Sequence, residues 1–261
     1  MSTGSPPLRL VVFSCSGAPL AGEMLEYIRR LSPEVLREIS AVVVSQPKSQ
    51  QRRSVNTQMP DDDLALAASR NIFAKLSASR AAIIWRFNKM YERTLAAFRY
   101  FLSMLMPVPY RCIEDFCVQN QVPVYRTRDV NSPAAISHLQ SLKPDLIIII
   151  TFHHLLKEAV IEIPLLATLN VHSSLLPQYR GADPINEALA DGVSTTGITI
   201  HWVDKGMDTG DIVCQKEVAI GDARTHDALR RKLAVAGGEL LLGCLEQARS
   251  GKIARHPQPP T

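Results

Sequence analysis

Short, uninterrupted apolar runs alternate along the chain with stretches whose apolar positions recur every third or fourth residue. Leu8–Phe13 (LRLVVF) is largely apolar and stops at Ser-Cys-Ser-Gly, the pattern of a buried parallel strand ending in a turn. A helical pattern over residues 20–31 and a second apolar strand at Ile39–Val44 complete a β-turn-α-β opening. After a polar stretch, Ser45–Asn56, that reads as loop, the α/β alternation breaks off and resumes later in the chain. Val122–Tyr125 predicts a short strand, Pro133–Leu142 a helix, Asp145–Ile150 (DLIIII) a strand and Leu169–His172 another. Ile185–Ala190 then reads as helix, Gly197–Val203 and Asp211–Val218 as strands, and Thr225–Arg249 as a last helix before Gly251. The link Asp-Lys-Gly-Met-Asp-Thr-Gly between the last two strands is rich in turn formers, so these two are expected to be antiparallel neighbours. The tail HPQPPT has no apolar periodicity and is expected to fray. Strands of this kind alternating with helices predict an open, mainly parallel sheet whose ligands sit at the carboxyl ends of its strands.

The interruption is itself patterned. Between Asp61 and Met106 there is neither glycine nor proline, and Ile84, Phe87, Tyr91, Leu95, Phe98, Leu102 and Leu105 form one stripe at helical spacing. Asp61–Asp63 supply an acidic N-terminus, and Pro107 and Pro109 end the run. The segment 61–108 is thus expected to be a helical insertion within one domain covering residues 1–261. It reads as a helix or helical pair packed on the core, with a subunit interface (a homodimer) or a membrane-surface face as the alternatives.

Composition narrows the setting. At 46% hydrophobic and 21% charged residues the chain is of ordinary globular character, which excludes disordered or collagen-like classes. No window approaches the ~18 consecutive apolar residues of a membrane-spanning helix, and the start MSTGSPPLRL lacks the basic and apolar regions of a signal peptide. A cytoplasmic protein is the expectation. The net charge of +4 is scattered, so no nucleic-acid partner is expected. The 5 cysteines show no metal-binding spacing and read as reduced thiols.

Two clusters carry chemistry. In Leu169-Asn-Val-His-Ser-Ser-Leu-Leu-Pro-Gln-Tyr-Arg-Gly-Ala-Asp-Pro184, Asn170 and His172 stand two apart on a strand and face the same way. An amide and an imidazole side by side suit a carbonyl reaction, one binding the oxygen and the other handling a proton; a structural Asn-x-His triplet is the alternative. In Val203-Asp-Lys-Gly-Met-Asp-Thr-Gly-Asp211, acids and glycines in a tight link suggest a backbone that approaches a ligand closely, or simply a turn.

Taken together the two clusters resemble the formyltransferases that use N10-formyltetrahydrofolate, a family including glycinamide ribonucleotide, methionyl-tRNA and sugar-amine formyltransferases. The family pattern Asn-(Ile/Val)-His-x-Ser-Leu-Leu-Pro-x-Tyr-Arg-Gly is matched from Asn170 to Gly181, and Asp208 follows at the family's spacing within Asp204–Gly210. The resemblance runs from Leu8 to about Leu245, apart from the helical segment. It implies a Rossmann-like α/β sheet and catalytic roles for three residues. His172 would take the proton of the attacking amine, Asn170 would bind the formyl oxygen, and Asp208 would hold the imidazole and favour its charged form. It implies a folate pocket lined by His154, Leu155 and Leu156 on one side and Val203, Asp204 and Gly206 on the other. For the acceptor it points to Ser16 and Gly17 in the turn after the first strand, and to Ser174, Arg180 and Gly181. The turn Ser14-Cys-Ser-Gly-Ala-Pro-Leu20 is poorer in glycine than the phosphate-binding loop of the purine-pathway members, so phosphate capture there is expected to be weak. His153-His154 invites a metal reading with His172 and Asp208, but neighbouring residues of an extended chain point to opposite faces, and no metal is expected.

The resemblance further implies a small-molecule amine as acceptor. The tRNA branch carries a C-terminal β-barrel domain and the hydrolase branch an N-terminal regulatory domain, and neither is expected within these residues. An amino sugar, possibly nucleotide-linked, is the first expectation for the acceptor; an amino acid or a specialised-metabolite amine is the second, in either case in a biosynthetic setting of one-carbon metabolism. Trp85, Arg86, Tyr91, Arg93, Arg99 and Tyr100 of the helical segment offer stacking and charge to a bulky acceptor. The rival readings are a formyltetrahydrofolate hydrolase and a non-catalytic folate-binding protein of the same fold.

Overall fold

The computed structural model describes residues 7–45 and 112–259. The helical segment 61–108, its aromatic and basic residues and nearly all of the preceding loop lie outside the described residues. Those described form seven strands in one sheet: β1 (Leu10–Cys15), β2 (Ile39–Ser45), β3 (Val124–Thr127), β4 (Leu146–Ile150), β5 (Ala167–His172), β6 (Thr195–Trp202) and β7 (Ile212–Ala219). The order across the sheet is β3-β2-β1-β4-β5-β6-β7. The first five positions pair in parallel, while β6 runs antiparallel to both β5 and β7.

The helices are α1 (Pro19–Leu31), α2 (Val35–Glu38), α3 (Ile113–Asn120), α4 (Pro133–Leu142), α5 (Glu158–Ile161), α6 (Pro184–Ala190) and α7 (His226–Arg249). The central strands are apolar throughout because both faces are covered. Val12, Val42, Ile148 and Ile150 face one core, packed with Met24, Phe116 and Leu233 from α1, α3 and α7. The alternate residues Val11, Phe13, Val43, Ile147 and Ile149 face a second core with Leu139 of α4 and Val160 of α5. This is a three-layer α/β fold whose side-chain period of two along each strand separates the cores. Two helices start on hydroxyl caps: Ser132 accepts from the Ala135 N–H and Thr225 from the Ala228 N–H, contacts of a kind that contribute about 1 kcal/mol each.

Strand limits moved for a reason visible in the pairing. β1 begins at Leu10 rather than Leu8, because Arg9 turns its main-chain N–H and guanidinium onto Asp145. It continues through Ser14 and Cys15, which find partners in Val44 and Ser45 of β2. β3 likewise extends into polar Arg126 and Thr127, since an edge strand needs main-chain partners more than apolar side chains. As far as Gln258 the tail is tied down rather than frayed. His256 exchanges both main-chain hydrogen bonds with Ile212 (2.8 and 2.9 Å), the Ala254 carbonyl accepts from the Trp202 indole, and the Arg255 guanidinium covers the Trp202 ring at 3.5 Å. Unpaired groups at the start of β7 thus hold a segment that has no periodicity of its own. Among the described residues no helix is long and apolar enough to cross a membrane.

Candidate active site

A cavity of about 350 Å³ opens beside the ends of β4 and β5. Thr151 leaves β4 at a positive φ of 56°, and the chain then runs through Phe152, His153, His154, Leu155 and Leu156 along one wall. Phe152 is held on Phe13, with ring centroids 5.3 Å apart. The Asn131 side chain fixes the far end of the loop by donating to the Leu155 carbonyl and accepting from the Lys157 N–H. The opposite wall is the β6–β7 link, with Val203, Asp204, Gly206, Met207 and Asp208. The Asp204 carboxylate accepts from the Gly206 N–H and the Thr209 hydroxyl, curling this link into a tight turn. A Cβ on Gly206 would lie 2.0 Å from the Thr209 hydroxyl oxygen, and one on Gly210 would lie 1.9 Å from the Trp202 carbonyl oxygen, so the curl demands both glycines. Leu155 and Met207 form exposed apolar lips on the two walls, at 66% and 56% exposure. All six residues expected to line a folate pocket therefore border one cavity.

The three expected catalytic side chains meet at its floor. Asn170 and His172 emerge from the same face of β5, and Asp208 reaches them from the β6–β7 link at a positive φ of 55°. Its Oδ1 accepts from the Asn170 amide at 3.1 Å, and its Oδ2 accepts from the Gly181 N–H at 3.0 Å. Oδ2 also faces Nδ1 of His172 at 3.6 Å. The other ring nitrogen of His172, Nε2, donates to the Tyr179 carbonyl at 2.8 Å. A carbonyl only accepts, so Nε2 carries the hydrogen and Nδ1 is the bare, basic nitrogen beside the carboxylate. Burial pushes the His172 imidazole below its ordinary value, against the opposing pull of Asp208 and the Tyr179 carbonyl, so at neutral pH the ring is a free base. Burial pushes the Asp208 carboxyl upward, but the neighbouring imidazoles of His201 and His172 and the Gly181 N–H outweigh this and hold it below the usual carboxylate range.

His201 completes the cluster, and the sequence pattern did not single it out. Antiparallel pairing sets it directly across from Asn170. Its Nδ1–H donates to the Trp202 carbonyl at 2.8 Å, and its Nε2 lies 3.0 Å from the Asn170 amide nitrogen and 3.5 Å from Oδ1 of Asp208. The Asn170 amide nitrogen thus contacts both Asp208 and His201. Binding a formyl oxygen through this amide requires that one of these contacts be exchanged.

The residues expected at the acceptor side separate into two groups. Gly181 borders the cavity and binds Asp208. Among the described residues that line the cavity, Ser16, Gly17, Ser174 and Arg180 do not appear. The Ser174 hydroxyl is buried and donates to the Gln178 carbonyl, while Thr199 and Gln215 tie Ser174 and Leu176 to β6 and β7. The Ser-Leu-Leu-Pro run is thus the brace that sets Tyr179 and Gly181 against the Asn170, His172 and Asp208 cluster. Arg180 directs its guanidinium to Gln258 of the tail. In the turn after β1, the Ser16 hydroxyl and Gly17 N–H are spent on the Glu114 carboxylate of α3, at 2.7 and 3.2 Å. The remaining cavity border, beyond Gly181, is formed by Pro19 and Leu20, by Asp183 and Pro184, and by His226 and Arg230 at the starts of α1, α6 and α7. Among the described residues no group of three or more His, Cys, Asp or Glu side chains stands close enough to hold a metal ion.

Comparison with known proteins bears on the family and the fold. Residues 9–245 match the family model described as "Formyl transferase". The methionyl-tRNA formyltransferase of Methylacidiphilum infernorum is 38% identical over 146 residues, which is 56% of this chain and 46% of that protein. The chain spans about half the length of the curated relatives it matches. Among solved structures, the phosphoribosylglycinamide formyltransferase from Anaplasma phagocytophilum superposes with a TM-score of 0.59 at 16% identity, covering 94% of this chain and 88% of that one. An N-formyltransferase from Helicobacter canadensis, in complex with folinic acid and dTDP-3-aminofucose, gives 0.54 at 16% identity and covers 97% and 68%. Likeness at such identities concerns the fold.

Proposed function

Because the chain belongs to the formyl transferase family, we propose that it moves the formyl group of N10-formyltetrahydrofolate to the primary amine of a small acceptor, an amino sugar that is possibly nucleotide-linked. The observation that carries the reading is the meeting of Asn170, His172 and Asp208 at the floor of a cavity with two apolar lips.

In the proposed reaction the neutral amine attacks the formyl carbon. The C–O π electrons move to oxygen, where an Asn170 N–H stabilises the charge that develops. The amine proton passes to Nδ1 of His172, creating an imidazolium against the Asp208 carboxylate, a product pair that the pair of short contacts to Asn170 and Gly181 holds in place. The carbonyl re-forms as the bond to N10 breaks, and the proton returns to N10, leaving tetrahydrofolate and a formamide. Leu155, Leu156, Val203 and Met207 supply apolar surface for the flat pterin, and the curled β6–β7 link supplies main-chain polar groups.

For the acceptor, support comes from the turn after β1. Its hydrogen-bond donors are occupied by an internal carboxylate, which argues against an acceptor anchored by phosphate there. The name of the Helicobacter canadensis complex supplies the amino-sugar class. The methionyl-tRNA formyltransferase relatives supply a second reading, methionyl-tRNA as acceptor, favoured by their higher identity. The test is release of tetrahydrofolate with amino sugars, nucleotide-linked amino sugars and methionyl-tRNA offered in turn, and with no amine. The proposal expects release and a formylated product with an amino sugar. Release and product only with methionyl-tRNA would install the second reading, and release without any amine would make the protein a hydrolase.

A further inference from the structure

The tail residue Gln258 uses the whole hydrogen-bonding capacity of its side chain on two loops, the β6–β7 link that carries Asp208 and the Arg180–Gly181 loop that binds it. Its amide nitrogen donates to the Asp208 carbonyl at 2.9 Å and to the Gly210 carbonyl at 2.7 Å. Its Oε1 accepts from Nε and Nη2 of Arg180, at 3.2 and 2.6 Å. An amide has two donor hydrogens and two acceptor lone pairs, and all four are matched here. One side of this clamp is Asp208 itself, a non-glycine residue at positive φ, a conformation that needs support from its surroundings. The other side is Arg180, next to Gly181, whose N–H binds the Asp208 carboxylate. The main-chain pairing of His256 with Ile212 and the Trp202–Arg255 stack fix the tail on either side of the start of β7, so the glutamine is presented from an anchored segment.

We infer that Gln258 is a positioning residue for catalysis: it locks the Asp208 loop to the Arg180–Gly181 loop and so fixes the Asp208 carboxylate against His172. The inference rests on the formyl-transfer reading for its kinetic consequence, but not for its structural one. Without the clamp, Asp208 loses the support for its left-handed conformation, and its carboxylate swings away from the imidazole. The groups facing His172 are Asp208 from the β6–β7 link, His201 from β6, Glu187 from α6 and the Tyr179 carbonyl. Asp208, Glu187 and the carbonyl favour the imidazolium, whereas His201 opposes it. Displacing Asp208 alone therefore makes His172 harder to protonate.

The experiment compares wild type, Gln258→Ala and Gln258→Glu. The glutamate keeps the size and the contact with Arg180, but it opposes an acceptor oxygen to the two loop carbonyls, so both variants must fail alike. Gln258 is partly exposed, and thermal unfolding checks that each variant is folded. Two readouts are taken. In steady-state kinetics, kcat should fall about 10- to 100-fold with the KM for the folate donor within about 2-fold. In NMR titration of the ring signals, assigned with His172→Gln, the midpoint of His172 should move to lower pH in Gln258→Ala, which displaces Asp208 without adding a charge. An unchanged midpoint in Gln258→Ala with unchanged kcat, or a Gln258→Glu protein that behaves as wild type, overturns the inference. If wild type itself releases no tetrahydrofolate with any amine, the formyl-transfer reading fails, and the His172 midpoint alone still decides whether Gln258 sets Asp208.

Discussion

Two carboxylates of this molecule are held in nearly the same way and face different surroundings. Glu114 accepts from the Ser16 hydroxyl and the Gly17 N–H, and Asp208 accepts from the Asn170 amide and the Gly181 N–H. Burial raises the proton affinity of each, and in each the surrounding donors more than offset it, so both stay below the ordinary carboxylate range. The difference lies in what else they face. Asp208 borders the cavity and looks onto the bare nitrogen of an imidazole, whereas Glu114 closes a turn and is absent from the cavity border. A perturbed carboxylate is therefore not a functional mark by itself; an adjacent base and an open space for substrate make it one.

The comparison is broken most sharply by removing the two residues of the proposed proton transfer. His172→Ala and Asp208→Ala are expected to lower single-turnover formyl transfer by about 10²- to 10⁴-fold, the range typical of a lost general base or its orienting partner, with donor affinity within a few-fold of wild type. Retention of turnover within tenfold in either variant, measured by rapid quench, would remove that residue from the proposed mechanism.

The pH dependence comes next. His172 must be neutral to accept a proton, and its folded value lies below the ordinary imidazole value of about 6.5. The rate should be flat across neutral pH as far as this group is concerned, and fall about tenfold per unit on the acid side of that lowered value. The same shift affects stability. The unfolded chain takes up the proton first, so the contribution of this group is complete above about pH 6.5 and is lost as pH falls from there toward the folded value. Because the acceptor amine must also be neutral, its own ionisation is divided out; an acid limb above pH 7 that then remains, or one at the His172 value that persists in His172→Gln, would contradict the assignment.

Smaller effects are expected at the cavity lip and at the closed turn. Leu155→Ser removes exposed apolar surface that the folate ring would cover, and should raise the donor KM about 5- to 20-fold with little change in kcat. Glu114→Gln should leave kcat within about 2-fold while costing about 1–2 kcal/mol of stability, because one of the two donors loses its acceptor. Chemical denaturation and steady-state kinetics on the same preparation separate these outcomes. A large kcat loss in Glu114→Gln with unchanged stability would erase the distinction between the two carboxylates.

Much of this could be read from the residues. The all-apolar Leu146–Ile150 and Leu10–Phe13 runs can only be central strands, and the Pro133 helix is marked by its Ser132 cap and its proline. The pairing of Asn170 with His172 followed from the two-residue period of a strand, and Asp208 from its motif. What stayed hidden depends on tertiary register. His201 is one histidine in an apolar strand until antiparallel pairing sets it across from Asn170. Gln258 lies in a proline-rich tail without periodicity, and nothing local connects it to Asp208. The α3 helix is short and partly polar, with only Ile113, Phe116 and Cys117 buried, and its Glu114 turned a candidate anion-binding turn into a closed one. Ser174 and Arg180 match the family motif, yet their contacts are with the brace and the tail rather than the cavity.

The most direct test of the central claim places Asp208→Asn and Glu114→Gln side by side in single-turnover formyl transfer to an amine that wild type accepts. Each change removes one negative charge and keeps the shape of the side chain. The account predicts a fall of at least about 10²-fold for Asp208→Asn and a rate within about 2-fold of wild type for Glu114→Gln. Equal rates in the two variants would contradict it.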